Sequence, residues 1–283
     1  MSQEVVLITG CSSGIGRALA KELAQRGHQV IATARRPERL GALARLRGVT
    51  TLGLDVDDEV SIRRAVGAAV GRAGRIDILV NNAGFNLVGP LAELPLEELR
   101  RLWETNITGV IAMMQQVVPH MAAQGRGRIV NLGSMVGVFP TPWTGAYCAS
   151  KAAVHMLSDV MRLELAPFGI DVVTVAPGRV RSEISKNASA DFGRYQGRSS
   201  LYGPFVAAMR KRRIASQVRP TETAEFAREL ADAITRRRAP RLVRLGRGAV
   251  LFPTLRRTAP AALFDFVVKR MFGLGALRPA AVR

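Results

Sequence analysis

The chain has 283 residues, 48% of them hydrophobic, enough to bury the core of one large domain without requiring a second. Its formal net charge of +19 admits nucleic acid, an anionic membrane surface or an acidic ligand as partners, but 18 basic and only 5 acidic residues fall in 201–283, and the excess is mostly arginine, as a GC-rich genome also produces. Cys11 and Cys148 are too few for a disulfide framework, and His28, His120 and His155 do not cluster at ligand spacing, so no metal site is expected.

The sequence starts Met1-Ser2-Gln3-Glu4 and runs directly into the apolar segment Val5 to Ile8, with no charged and then apolar leader. No apolar run approaches the roughly 18 residues of a membrane span, and a cytoplasmic protein is expected. Val5 to Ile8 reads as the first strand. It leads into Thr9-Gly10-Cys11-Ser12-Ser13-Gly14-Ile15-Gly16, after which Ile15, Ala18, Leu19 and Leu23 carry a helical period. Gly10 permits a tight turn, Gly14 a close approach of backbone to a pyrophosphate and Gly16 close helix packing, while the helix N-terminus presents N–H groups to the anion. The spacing departs by one residue from the usual dinucleotide fingerprint.

The second strand, Gln29 to Ala34, ends in Arg35-Arg36, where an NAD-binding unit would place an acid on the ribose. Two guanidinium groups suit a 2′-phosphate instead, so NADP(H) is expected over NAD(H). Thr50 to Asp55 and Ile78 to Asn81 are the third and fourth strands, the latter followed by Asn82-Ala83-Gly84, whose small residues let a cofactor lie close to the backbone. A single helix is expected over the period Leu96, Leu99, Leu102, Trp103, Ile107, Ile111, with Asn106, a poor helix former, inside it.

The fifth strand, Arg128 to Leu132, precedes Ser134, a hydroxyl placed to donate to a substrate oxygen as it gains charge. Tyr147 and Lys151 stand four apart in a helical segment, so both project from one face. A neighbouring ammonium favours a phenolate, which is expected to bring Tyr147 down towards working pH as a proton donor to a carbonyl. Asp171 to Ala176 is the sixth strand, followed by Pro177-Gly178-Arg179-Val180-Arg181-Ser182. Residues 181–217 lack a period and read as a long loop and candidate substrate lid. Arg241 to Leu245 is the seventh strand, Pro253 to Arg257 a turn, and Leu263 to Phe272 helix-like. Apolar strands alternating with helices predict an α/β fold, a single Rossmann-type doubly wound parallel sheet of about seven strands with a C-terminal helical extension over 251–283.

These motifs, in this order, resemble the classical short-chain dehydrogenase/reductases from Val5 to about Leu245. The resemblance implies that Tyr147 is the acid/base, that Lys151 also holds the nicotinamide ribose, that Ser134 positions the carbonyl, and that Asn106 helps to hold a water-linked proton relay. It further implies a cofactor site made by Gly10, Ser12, Ser13, Gly14, Ile15, Gly16, Arg35, Arg36, Asp55, Val56, Asn82, Ala83, Gly84, Pro177, Gly178, Val180 and Ser182, with Asp55 at the adenine. Ser182 stands where the family commonly has Thr. The region past the strands is more weakly similar to 17β-hydroxysteroid and retinol dehydrogenases and to acyl-dihydroxyacetone phosphate reductases of the yeast type. The expected reaction is hydride transfer between NADP(H) and a ketone or secondary alcohol with an apolar, steroid-, retinoid- or lipid-like body, in a homodimer or homotetramer. The tail, with Phe264, Phe266, Val267, Val268 and Met271 beside Lys269 and Arg270, is expected to cover the cleft, cap the core or touch a membrane surface peripherally. A competing reading, an inactive Rossmann scaffold that senses NADPH or binds nucleic acid through its basic tail, has Ser134, Tyr147 and Lys151 against it, and the tail lacks interleaved aromatics.

Overall fold

Strands that are apolar on both faces need cover on both faces. Val5–Ile8, with all four residues buried, is such a strand, and it lies at the centre of the sheet. The structure, a computed structural model, describes residues 3–184, 191–197 and 200–275. Its strands are β1 (Val5–Ile8), β2 (Gln29–Ala34), β3 (Val49–Gly53), β4 (Ile78–Asn81), β5 (Gly127–Leu132), β6 (Ile170–Pro177) and β7 (Leu242–Leu245). They form one sheet in the order β3-β2-β1-β4-β5-β6-β7, every neighbouring pair parallel. The order reverses between β1 and β4, which opens a crevice at the carboxyl ends of these two strands.

The helices are α1 (Gly14–Gln25), α2 (Glu59–Ala73), α3 (Leu96–Trp103), α4 (Gly109–Ala123), α5 (Gly145–Glu164), α6 (Val206–Ile214), α7 (Thr223–Ile234), α8 (Leu251–Thr258) and α9 (Ala261–Met271). Leu19 and Leu23 of α1 and Phe226 and Leu230 of α7 cover one face of the sheet, sharing a buried cluster with Val6 and Ile8. Ile62 of α2 and Met113 and Val117 of α4 cover the other with Val5 and Leu7. This is the doubly wound α/β sandwich that the alternation of strands and helices predicts.

Four local readings need correction. The third strand ends at Gly53, so Asp55 lies beyond the ladder, where its N–H is taken by the Ser61 hydroxyl at 3.0 Å. The single helix expected over Leu96 to Ile111 is broken by a π-helical turn at Glu104–Thr108. Within 181–217 the chain builds helix α6 rather than a continuous loop, because Val206, Met209 and Arg212, three apart, form a buried stripe. Residues 185–190 and 198–199 of that segment lie outside the described residues. The turn expected at Pro253 to Arg257 is α8, with Pro253 in its first turn, where a missing N–H breaks no helix bond.

Phe264 and Val268 of α9 are buried in a cluster with Phe139, Tyr147 and Leu102, and residues 276–283 of the extension lie outside the described residues. Phe139 stacks on Phe252 of α8 at 5.4 Å and meets Phe264 edge-on at 6.4 Å. The Trp143 indole N–H donates to the carbonyl of Phe272 at 3.0 Å, tying the end of α9 to the lead-in of α5. Phe264→Ala is therefore expected to cost about 3 kcal/mol, and Phe266→Ala, at a residue 61% exposed, less than about 0.5 kcal/mol, in urea unfolding. Equal costs would show that the extension is not part of the core.

Candidate active site

The turn after β1 is fixed by its neighbour across the crevice. The Thr9 hydroxyl accepts from the N–H groups of Asn82 and Ala83 at 3.0 and 2.9 Å, and the Asn82 amide donates back to the carbonyls of Thr9 and Gly10 at 2.9 and 3.1 Å. Gly10 has a positive φ of 74°, and a β-carbon there would stand 2.9 Å from Ala83 Cα. A β-carbon on Gly16 would run into the Asn82 amide. Ser13, extended, precedes α1 without a side-chain cap, and no acid stands in the first turn. The helix therefore presents uncapped N–H groups and an uncompensated positive end.

Arg17 was not among the residues singled out from sequence, yet its guanidinium donates to the carbonyls of Ser12 (3.1 Å), Arg39 (3.2 Å) and Leu40 (3.4 Å), binding this turn to the segment after β2. Arg35 lines the cavity as expected. Arg36 does not; Arg39, three residues on, does. Asp55 and Val56 line the same end with Asp57. Burial raises the Asp57 carboxyl above its ordinary range against a hydrogen bond from Thr105 at 2.9 Å.

Tyr147, Lys151 and His155 stand at successive four-residue steps of α5, facing the end of β5. The Lys151 ammonium donates to the Leu132 carbonyl at 2.7 Å and lies 5.7 Å from the centre of the Tyr147 ring. Burial lowers its pKa to about 8. Contrary to the sequence expectation, Tyr147 is pushed up to about 12, since burial outweighs the lowering from the Ser134 hydroxyl and from the charge of Arg212. His155, also unforeseen, accepts the Ser134 N–H on Nε2 at 3.3 Å. Burial and the Lys151 charge lower it to about 4, so the ring is neutral and keeps that lone pair. Gly133 leaves it room, because a β-carbon there would strike the imidazole. The four-residue step from Lys151 was the available signal for this histidine.

Asn106, fully buried, sits in the π turn and does not line the cavity. Its oxygen accepts from Phe85 N–H at 3.1 Å, and its amide donates to the Phe85 carbonyl at 3.0 Å and the Ser150 hydroxyl at 3.1 Å. The side chain thus braces the segment after β4 against α5, with Gly84 packed so closely that a β-carbon would stand 2.9 Å from the Asn106 oxygen.

One cavity of about 1010 Å³ joins these parts. Ser12, Ser13, Gly14, Ile15, Asn82, Ala83, Gly84, Pro177, Gly178, Val180 and Ser182 line it towards the α1 turn, and Ser134, Tyr147 and Lys151 its middle. Beyond them come Val136, Phe139, Ile184 and Phe252, with Met271 and Phe272 from the extension, and Arg212, which sequence reading had passed over.

The family profile described as short chain dehydrogenase matches residues 4–192. The chain belongs to this family. A short-chain dehydrogenase from Streptomyces avermitilis superposes with a TM-score of 0.81 at 32% identity, covering 97% of this chain and 98% of that one. An "NADPH-dependent 1-acyldihydroxyacetone phosphate reductase" of Schizosaccharomyces pombe is 36% identical over 99% of this chain and 92% of its own length. A "3-ketodihydrosphingosine reductase" of Bacteroides thetaiotaomicron is 39% identical over 66% of this chain and 68% of its own. This short-chain dehydrogenase is thus an oxidoreductase by family, with a nicotinamide cofactor as the family's partner, and similar to two enzymes whose names specify lipid ketones.

The buried lysine has a thermodynamic signature. Between its folded pKa of about 8 and the ordinary 10.5 the unfolded chain binds a proton that the native state lacks, so stability rises with pH across that window and is flat below it. Lys151→Met removes this dependence. The stability difference between wild type and variant is expected to shift in favour of wild type by on the order of 1–3 kcal/mol from pH 7.5 to 10, measured by urea unfolding; parallel profiles would show that the amine is not buried as charge.

Proposed function

We propose that this protein is an NADPH-dependent reductase of lipid-like ketones, in which Tyr147 gives the proton, Ser134 orients the carbonyl, Lys151 supports the tyrosine, and Asn106 and His155 act as positioning residues. The observation that carries the reading is the phenol of Tyr147 beside Ser134 and Lys151 in the middle of a cavity whose one end is an uncapped helix N-terminus and whose other end is apolar. A dinucleotide fits the first end: Gly10 and Gly14 line it, while Gly16 packs under the Asn82 amide rather than lining it; the α1 N–H groups suit a pyrophosphate, and Arg35 with Arg39 suits a 2′-phosphate. NADPH when bound supplies the hydride.

With a pKa of about 12, Tyr147 holds its proton at neutral pH, which matches the direction of reduction: its Oη donates to the carbonyl oxygen as that oxygen gains charge, while the Ser134 hydroxyl donates a second hydrogen bond. Lys151, charged below about pH 8, lies near enough to the ring to stabilise the phenolate left behind. The apolar end, lined by Phe139, Phe252 and Phe272, suits an aliphatic chain. The two relatives named for lipid ketones support the substrate class, and one of them is named for NADPH.

Tyr147→Phe is expected to lower kcat for NADPH-dependent reduction of a long-chain ketone by at least about 100-fold while NADPH still binds, by analogy with the loss of a general acid. Retained turnover would sink the tyrosine role. Arg35→Ala and Arg39→Ala are each expected to raise KM for NADPH by roughly 10-fold or more and leave that for NADH within about 2-fold. Equal effects on both cofactors would refute the 2′-phosphate assignment.

A further inference from the structure

At the apolar end of the cavity stands a charge with no role in the reaction described above. Arg212, the third member of the buried stripe of α6, is only 9% exposed. Its Nη2 donates to the Thr144 hydroxyl at 3.1 Å and its guanidinium lies 5.8 Å from the Phe272 ring centre, while its Nε is closed off and has no partner among the described residues. Among the described residues the groups whose charge bears on it are Cys148 and Tyr147, and no carboxylate is among them. Burying a guanidinium without an anion is costly. A nearly buried guanidinium that lines the cavity with no carboxylate beside it among the described residues therefore points to an anion that arrives with the ligand. Lys211 and Arg270, both exposed, line the same cavity and add positive charge for an incoming anion.

We propose that Arg212 forms an oxyanion subsite beside Tyr147, and that the ketone taken by this enzyme carries a phosphate ester or a carboxylate a short distance from its carbonyl. The inference rests on the lipid-ketone reading and deepens it: the substrate is an amphiphile whose chain lies among Phe139, Phe252 and Phe272 and whose anionic group meets Arg212. A guanidinium on the α6 side serves this better than a lysine, since its planar fork can keep the Thr144 bond and still offer a further N–H to the ligand.

The test uses the full chain with NADPH and three ketones of matched chain length: a long-chain acyl ester of dihydroxyacetone phosphate, the same ester without phosphate, and a keto acid. The expected result is a kcat/KM for one of the anionic ketones roughly 10- to 100-fold above that for the neutral one, the size of a charge-assisted hydrogen bond, with the preferred anion identifying the group. Arg212→Met is expected to bring that ratio to within about 3-fold of unity, with Arg212→Lys between the two. A merely structural role would lower turnover of all three ketones together and leave the ratio unmoved, which overturns the proposal. Thr144→Val keeps the side-chain shape, removes the hydroxyl that holds the Arg212 guanidinium in place, and is expected to lower the ratio by roughly 5-fold even where Arg212→Met fails to fold. Reduction of the neutral ketone as well as either anion overturns the subsite alone. Failure to reduce any of the three, with NADPH still bound, overturns the ketone-reductase reading and the subsite with it.

Discussion

Helix α5 lies on the sheet through a polar seam. Its buried positions include Tyr147, Ser150, Lys151, Val154 and Ser158, a stripe where leucines would ordinarily pack. β5 supplies partners for two of these, the Leu132 carbonyl for Lys151 and the Asn131 amide, which donates to Ser158 at 2.9 Å and accepts from Asn81 at 2.9 Å, while the Ser134 N–H just beyond β5 meets His155. A one-turn slip of α5 would bury an ammonium and several amides without partners, each at a cost of kilocalories. Polar pairing thus sets the height of the helix on the sheet, and with it the position of the Tyr147 hydroxyl. The small residues follow from the same constraint, since Gly133 exists to let His155 reach the strand end.

The cavity then divides by what each end must exclude. Towards α1 the glycines keep the turn close to the β4 turn, because any β-carbon at Gly10 or Gly16 would push that turn away. Beyond Tyr147 the walls are side chains brought by α6, α8 and α9, elements that leave the Rossmann core and return to it. Among the described residues no helix is long and apolar enough to cross a membrane, and α8 and α9 turn Phe252, Phe264 and Val268 to the protein. Leu263, Phe266 and Met271 stay exposed beside Lys269 and Arg270. An amphiphilic ketone would thus meet an apolar rim with positive charge at its edge before it meets Arg212.

The sheet was legible in the sequence because buried parallel strands are written as apolar β-branched runs, and only their ends moved. The glycine-rich turn after β1 and the meeting of Ser134, Tyr147 and Lys151 at one cavity were legible because each depends on a short spacing. What escaped depends on contacts between distant segments. Arg17 ties the turn to the carbonyls of Arg39 and Leu40, the Arg39 side chain lines the cavity, and nothing local distinguishes either from a solvated arginine. The π turn at Asn106 comes from fitting an amide between Phe85 and Ser150, 21 residues behind and 44 ahead, which no helical period reports. Helix α6 was hidden because its buried stripe ends in an arginine, a residue that pattern reading assigns to the surface. The two neighbours of Tyr147 that sequence undervalued, His155 and Arg212, were missed for this one reason: both are polar groups in core positions.

The direction of the tyrosine's pKa is where sequence and structure part most sharply. A lysine one turn away was expected to draw the phenol down, as it would at a surface. In the protein both groups are enclosed, and enclosure penalises phenolate and ammonium alike, raising Tyr147 to about 12 and lowering Lys151 to about 8. At rest the low dielectric therefore keeps the proton on the tyrosine. In the proposed reduction it works the other way once the proton moves, because attraction between a nascent phenolate and the nearby Lys151 ammonium is strongest where water is least able to screen it. Burial alone would make Tyr147 a poor acid, and the ammonium alone would draw its proton off before a ketone arrived. Together they keep the proton in place until an acceptor oxygen develops charge beside Ser134.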